Sequence, residues 1–208
     1  MRKQLAKLAL AGGVIVTALG VAIPAYASTW TVSGGTSWSA TNSTTVTLKD
    51  TTHGTSFSCS VAKAAGSMKN GTGLAGSGIG SITSSSFGNS TSKCSGSFGA
   101  TGTAVQASGS TELINAVSYS SGVTTGTVSN IDTILSVSDL FGTCTATATG
   151  TANSTYTNSS GTLAFVGTGP LTIASATGSG CAGVITTGDS VSFSGSYKVT
   201  PVLTITSP

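Results

Sequence analysis

The residues suited to acid–base chemistry are few. The single histidine, His53, follows Asp50 by three residues, and the aspartates further along the chain include Asp139 and Asp189. A hydrolytic triad needs a histidine, an acid and a serine brought together, and no G-x-S-x-G motif marks a nucleophile. His53 lies in a Thr-Thr-His-Gly stretch that is typical of a hairpin turn. We therefore expect a solvated turn histidine.

The aspartates raise a second possibility, since two carboxylates flanking a cleft can hydrolyse glycosides. Asp50 and Asp139, however, occupy matching places in two similar stretches, and Asp189 follows Gly188 as in a tight turn. Aspartate side chains commonly hydrogen-bond the backbone where a strand meets a turn. We predict structural roles for these acids and no catalytic residue.

Two further patterns are associated with cofactors or metals. The glycine-rich run at residues 76–80 lacks the lysine and the following helix of a phosphate-binding loop. The cysteines lack the close C-x-x-C pairs of a metal centre. The sequence therefore predicts no cofactor and no metal.

Aromatic and threonine side chains offer two candidate binding surfaces. Sugars can stack on aromatic rings, and the weak ligand-binding candidates are Trp30, Trp38, Tyr119 and Tyr156. We expect Trp30 and Trp38 to be the most exposed, because their neighbours are glycine and serine; the alternative is that all four are buried. Residues 143–151 place five threonines on one face of a strand, as either a hydroxylated binding surface or a plain solvent-facing one.

The cysteines indicate that the protein functions outside the cytoplasm. An even number in an exported chain predicts two disulfides, although four cysteines allow three connectivities. The four are Cys59, Cys94, Cys144 and Cys181.

A possible duplication narrows the choice of disulfides. Residues 46–50 lead through Gly-Thr to Cys59, as residues 135–139 lead through Gly-Thr to Cys144. We interpret this as a repeated unit of about 85 residues with halves at about 28–110 and 111–208, and low complexity is the competing explanation. If the halves are equivalent, the pairs are Cys59–Cys94 and Cys144–Cys181.

The first segment predicts export. Basic residues 2, 3 and 7 precede an apolar run at 8–23 and then Ala25-Tyr26-Ala27, which is the order of a cleavable secretory signal. A membrane-spanning helix needs about 20 apolar residues, so this run is short. We place the signal peptide at 1–27, with an uncleaved anchor as the alternative, and a single domain at 28–208.

Removing residues 1–27 leaves five lysines, five acids and no arginine, so the net charge is zero. Nucleic-acid binding needs clustered basic residues, and we exclude it. Frequent Thr and Val with Gly and Ser between them favour an all-β fold, an antiparallel sandwich or small barrel. The clearest alternating strands are Val46–Leu48, Leu113–Tyr119, Leu163–Phe165 and Val191–Val199, the last ending at Pro201.

Two stretches resemble a family. Residues 73–83, which precede a cysteine, and the tail from Gly180-Cys181 to Pro208 are similar to small secreted Ser/Thr/Gly-rich β proteins of actinomycete bacteria. The resemblance implies export and a β fold, and it implies no activity and no functional residue.

These observations favour an exported, non-enzymatic protein of the cell envelope or extracellular matrix, structural or adhesive in role, whose partner would be a cell-wall or envelope component. One alternative is a module that binds glycans or another envelope ligand through the aromatic or threonine face. A second is a membrane pore built from a β-barrel. Such pores need strands of about 9–11 residues, and the strands here look shorter.

Overall fold

The computed structural model describes residues 29–167, 169–182 and 184–208, so the predicted signal peptide at 1–27 lies outside the described residues. The described chain forms strands and two short 3-10 helices, Ser97–Gly99 and Ser179–Cys181. The strands are β1 Trp30–Ser33, β2 Ser37–Asn42, β3 Val46–Asp50, β4 Ser56–Cys59, β5 Ala62–Met68, β6 Gly71–Leu74, β7 Gly80–Phe87, β8 Cys94–Gly96, β9 Thr101–Gln106, β10 Glu112–Ser120, β11 Val123–Asp139, β12 Gly142–Thr157, β13 Thr162–Val166, β14 Leu171–Thr177, β15 Ser190–Thr200 and β16 Thr204–Thr206. Within these ranges no helix has the length and apolarity to cross a bilayer.

Thirteen of these strands form one antiparallel sheet that closes on itself. Neighbouring strands follow chain order, and the last, β15, pairs with the first two, β2 and β3. Some consecutive strands lie end to end and together occupy one strand position of the sheet, which we call a path. These pairs are β2/β3, β4/β5, β7/β8, β9/β10 and β13/β14, whereas β11, β12 and β15 each form a path alone. Eight paths in a closed ring make a small barrel without free edges. The predicted all-β antiparallel class is confirmed, as a barrel rather than a sandwich.

Each uninterrupted strand contains an interior residue with a positive φ. These residues are Asn130 (φ 58°) in β11, Gly150 (φ 133°) in β12 and Gly195 (φ 152°) in β15. A Cβ on Gly150 would stand 2.1 Å from the carbonyl oxygen of Pro170, so only glycine fits there. With 17 residues in β11 and 16 in β12, the expectation of uniformly short strands is wrong.

A second sheet, in the order β16–β1–β6, lies against one end of the barrel. The Tyr156 hydroxyl and the Asn158 side chain of the barrel hydrogen-bond the backbone of Leu203 and Ile205. Val32 and Ile205 are buried in this contact. The second sheet therefore extends the core over that end of the barrel.

Inward-facing side chains follow the period of two in most strands. Leu163, Phe165 and Val191 are buried as the alternation predicts. In β10 the alternation predicts that Leu113, Asn115, Val117 and Tyr119 share one face. That prediction is wrong, because Val117 is 66% exposed whereas Tyr119 packs against the core, and Glu112 is 5% exposed. The register of β10 against β11 shifts between Ala116 and Ser118, which changes the phase of the alternation.

Both predicted disulfides are present. Cys59 and Cys94 join the neighbouring strands β4 and β8, and Cys144 of β12 joins Cys181 of the second 3-10 helix. Each closes a loop of 35 or 37 residues, and the loop-entropy treatment gives about 3–4 kcal/mol for each. The internal duplication stays a prediction.

Candidate functional site

The barrel interior holds a cavity of about 70 Å³. Side chains from all eight paths line it, and most of them are apolar, including Val46, Phe57, Ala148 and Leu171. An eight-stranded barrel has room either for its own side chains alone or for one small ligand as well. This barrel leaves a small apolar space within its core.

Aromatic rings form one wall of this cavity. Phe87 packs edge-to-face on Phe193 (5.6 Å between ring centroids), Phe193 on Phe165 (4.9 Å), and Phe165 on Tyr197 (6.0 Å). Such T-shaped pairs stabilise packing beyond the area they bury. We call these four residues the aromatic row, and it ends at the one ring that carries a hydroxyl group.

Among the described residues that line the cavity, Glu112 carries the charged group. It lines the cavity from the first position of β10, opposite Ile82, and it is 5% exposed. Within the described residues its carboxylate makes no hydrogen bond, and all five lysines of that part are exposed. Burial, assisted by the charge of Asp132, raises the pKa of Glu112 to about 7.

Two hydroxyl groups accompany Glu112. The Oγ of Ser85 is buried in the cavity wall, and it has no hydrogen-bond partner among the residues that the structure describes. Burial raises the pKa of Tyr197, and the nearby charge of Glu112 raises it further. A buried polar atom without a partner costs free energy, so these groups favour a ligand that supplies the missing bonds.

A second group of acids lies at the barrel end that contains turn 51–55 and segment 178–189. Because β3 and β15 pair with Val191 opposite Asp50, Asp50 lies beside Asp189. Nδ1 of His53 is 3.1 Å from Oδ2 of Asp50 and 3.1 Å from Oδ2 of Asp189. We call Asp50, His53 and Asp189 the end cluster.

Each carboxylate of the end cluster is also held by its own turn. Oδ1 of Asp50 accepts the backbone N–H groups of Thr52 (2.7 Å) and His53 (3.0 Å). Oδ2 of Asp189 accepts the N–H of Thr186 (2.6 Å), and Oδ1 accepts its hydroxyl (2.9 Å). The predicted turn roles of Asp50 and Asp189 are confirmed.

The predicted position of His53 in a solvated turn is confirmed, with 35% of its side chain exposed. The ring also bridges two buried carboxylates, a contact that the sequence did not predict. The hydrogen bond that Asp50 accepts from the ring, opposed by some burial and helped by the charge of Asp189, raises the pKa of His53. The ring nitrogen of His53 and one carboxylate oxygen from each aspartate lie within 4.8 Å of one another. At this spacing one positive charge can lie close to both carboxylates.

The proposed aromatic face does not form. Trp30 (2% exposed) and Trp38 (5%) are buried rather than exposed, because their side chains belong to the core. Tyr156 is buried as well, and its hydroxyl donates to the carbonyl oxygen of Leu203 and accepts its N–H, both at 2.9 Å. Tyr119 is half-buried against the core. A solvent-borne sugar has no access to the two tryptophans or to Tyr156.

The threonine run begins on the solvent side of its strand, as both of its expected roles require. Thr143 and Thr145 are exposed, and they alternate with the buried Cys144 and Ala146. Asp139, just before this run, accepts the N–H groups of Phe141 (2.7 Å) and Gly142 (3.0 Å) through Oδ1, so its predicted turn role is confirmed.

The comparisons offer no relative. No family model, no curated protein and no solved structure matches the chain. Function has to be argued from the barrel interior and the end cluster.

Proposed function

We propose that this protein is an exported, non-enzymatic binding protein that holds a small apolar molecule inside its barrel. The observation that carries the proposal is the cavity of about 70 Å³, lined mostly by apolar side chains. Small-molecule sites are concave and mostly apolar, with a few polar groups that set orientation. The interior therefore replaces the aromatic surface as the binding site.

Export is supported by two features. Residues 1–27 have the pattern of a secretory signal, and both disulfides suit an oxidising compartment. An envelope or extracellular location, with a structural or adhesive role alongside binding, remains part of the proposal.

The cavity limits the size of the ligand. An engineered apolar cavity of about 150 Å³ takes benzene, so a space half as large suits on the order of three to five non-hydrogen atoms. Leu48 and Ile131 on the wall are only half-buried, so side-chain rotation can enlarge the space.

Solution NMR tests binding directly. We expect isopentane, isobutanol and xenon to shift backbone amide signals of β7, β10 and β15, which surround the cavity, and not those of exposed turns. Absence of saturable shifts for all three probes would contradict the proposal.

A matched pair of substitutions separates interior from surface binding. Ala148→Leu fills the cavity and should abolish the shifts, whereas Thr147→Leu adds similar bulk to the outer face and should preserve them. Ala148→Val serves if the larger side chain prevents folding, and it should weaken binding. Equal binding by both members of the pair would place the probes elsewhere.

A further inference from the structure

The polar groups of the cavity specify more than an apolar ligand. We propose that the ligand carries a protonated amine, that Glu112 binds this ammonium group, and that the apolar tail of the ligand lies along the aromatic row. This inference rests on the proposed function and names the chemical class of its ligand.

The first argument is the missing counter-charge. Glu112 is only 5% exposed, yet no described side chain donates a hydrogen bond to it. Buried carboxylates in proteins are nearly always paired or hydrogen-bonded, because desolvating an isolated charge costs on the order of several kcal/mol. An unpaired acid that faces a cavity is therefore complementary to a cation inside that cavity.

The second argument is the sign of the surroundings. Asp132, on neighbouring strand β11, is close enough for its charge to act on Glu112, and the exposed lysines do not line the cavity. Tyr197 of β15 is the other titratable group on the cavity wall, and it is neutral near pH 7. The field at the carboxylate is thus negative, which excludes an acidic ligand and favours an ammonium group.

The third argument is orientation. Tyr197, the hydroxyl-bearing end of the aromatic row, is the ring on which the charge of Glu112 acts. An ammonium group between Glu112 and Tyr197 can donate hydrogen bonds to the Glu112 carboxylate and lie near the faces of the aromatic rings, which attract cations. The rest of the row, Phe165, Phe193 and Phe87, then covers an apolar tail.

Three probes of the same shape test the head group. Isobutylamine, isobutanol and isopentane differ only at one terminal position, and their dissociation constants can be measured by amide-shift titration at pH 8. We expect isobutylamine to bind about 10- to 100-fold more tightly than isobutanol, which is the range for hydrogen bonds to charged groups. Glu112→Gln should abolish that preference while isobutanol still binds.

The pH dependence gives an independent measure in the unaltered protein. The amine remains protonated from pH 5.5 to 8, whereas Glu112, with a pKa of about 7, becomes protonated. Amine affinity should fall about 30-fold between pH 8 and 5.5, as the ionised fraction of such a carboxyl does, and isopentane affinity should not change. Asp132→Asn is a companion variant, because Asp132 does not line the cavity but its charge raises the pKa of Glu112. It should move the fall in amine affinity to lower pH and should weaken amine binding at pH 8 far less than Glu112→Gln does.

The outcomes separate the two proposals. Equal affinities for amine and alcohol in the unaltered protein, or an amine preference that survives Glu112→Gln, would overturn the head-group inference and leave the apolar binding site standing. Failure of all three probes to bind would overturn the proposed function itself.

Discussion

Glu112 in the cavity and Asp189 in the end cluster have nearly the same small exposed fraction, but their pKa values shift in opposite directions. The exposed fractions are 5% for Glu112, 3% for Asp50 and 5% for Asp189. Glu112 has no hydrogen bond within the described residues, and burial raises its pKa to about 7. At Asp189 burial acts in the same direction, but the two bonds from Thr186 and the charge of His53 outweigh it and lower the pKa.

The comparison shows that a small exposed fraction does not by itself raise the pKa of an acid here, because hydrogen-bond donors act on the pKa as well. Asp189 lies in a turn whose backbone and hydroxyl point at it, which stabilises the ionised form. Glu112 lies in a regular strand, whose N–H groups are used by neighbouring strands. A strand can bury a carboxylate without solvating it, and such a site is available to a ligand.

The largest expected effect comes from Glu112→Gln. The pKa of Glu112 is raised from 4.5 to about 7 on folding. The ionised carboxylate therefore lowers the free energy of unfolding by an amount that is absent below pH 4.5 and grows until about pH 7. That change amounts to about 3 kcal/mol at 1.36 kcal/mol per pH unit. We expect the variant to unfold at higher urea concentration than the unaltered protein at pH 8, with the gain vanishing at pH 4.

The urea experiment is done with both disulfides intact, so that the unfolded states match. Asp132→Asn serves as the control, with a smaller gain, because Asp132 is the lesser cause of the raised pKa of Glu112. A gain from Glu112→Gln that is equal at pH 4 and pH 8 would contradict the assignment of an unpartnered carboxylate.

Asp189→Ala should act in the opposite direction. It removes the acceptor of the Thr186 N–H and hydroxyl and one partner of His53, and loss of charged hydrogen bonds costs about 2 kcal/mol. Because the pKa of Asp189 is lowered on folding, this stabilisation is present above pH 3.8 and disappears as the pH falls through the folded-state pKa.

The control for Asp189→Ala is Asp139→Ala, which removes two backbone hydrogen bonds from a more exposed turn. Urea unfolding at pH 6 should show the smaller loss for Asp139→Ala. Equal losses would mean that the burial and histidine contact of Asp189 add nothing.

Sequence reasoning succeeded where the interactions are local. The turn roles of Asp50, Asp139 and Asp189 depend on donors two or three residues away, and these were predicted. The contact between His53 and Asp189 spans 136 residues and exists only because β3 pairs with β15. Nothing in the Thr-Thr-His-Gly stretch indicates that pairing.

The sequence did not indicate that Glu112 is the acid of the cavity, and the reason here is different. Both Leu113 and Ile114 are apolar, so the alternation in β10 fits either phase, and the shift in register near Ala116 selects the one that turns Glu112 inward. Trp30 was expected to be exposed because its neighbours in sequence are small and polar. Its strand, β1, pairs with β16, about 175 residues away along the chain, and the tryptophan is buried.

The smallest expected effect concerns His53, whose ring is partly exposed and therefore screened by solvent. Its pKa is raised above 6.5, with the bond to Asp50 as the largest cause, so its stabilising charge is fully present below pH 6.5 and is lost as the pH rises through the folded-state pKa. In His53→Gln the fall in stability above pH 6.5 should become shallower, while the fall between pH 4.5 and 7 that belongs to Glu112 should remain. NMR titration of the ring gives the pKa directly: in Asp189→Ala it should drop yet stay above 6.5, because Asp50 still accepts from Nδ1. A ring that titrates at or below 6.5 in the unaltered protein would remove the contrast between the paired acids of the end cluster and the unpaired acid of the cavity.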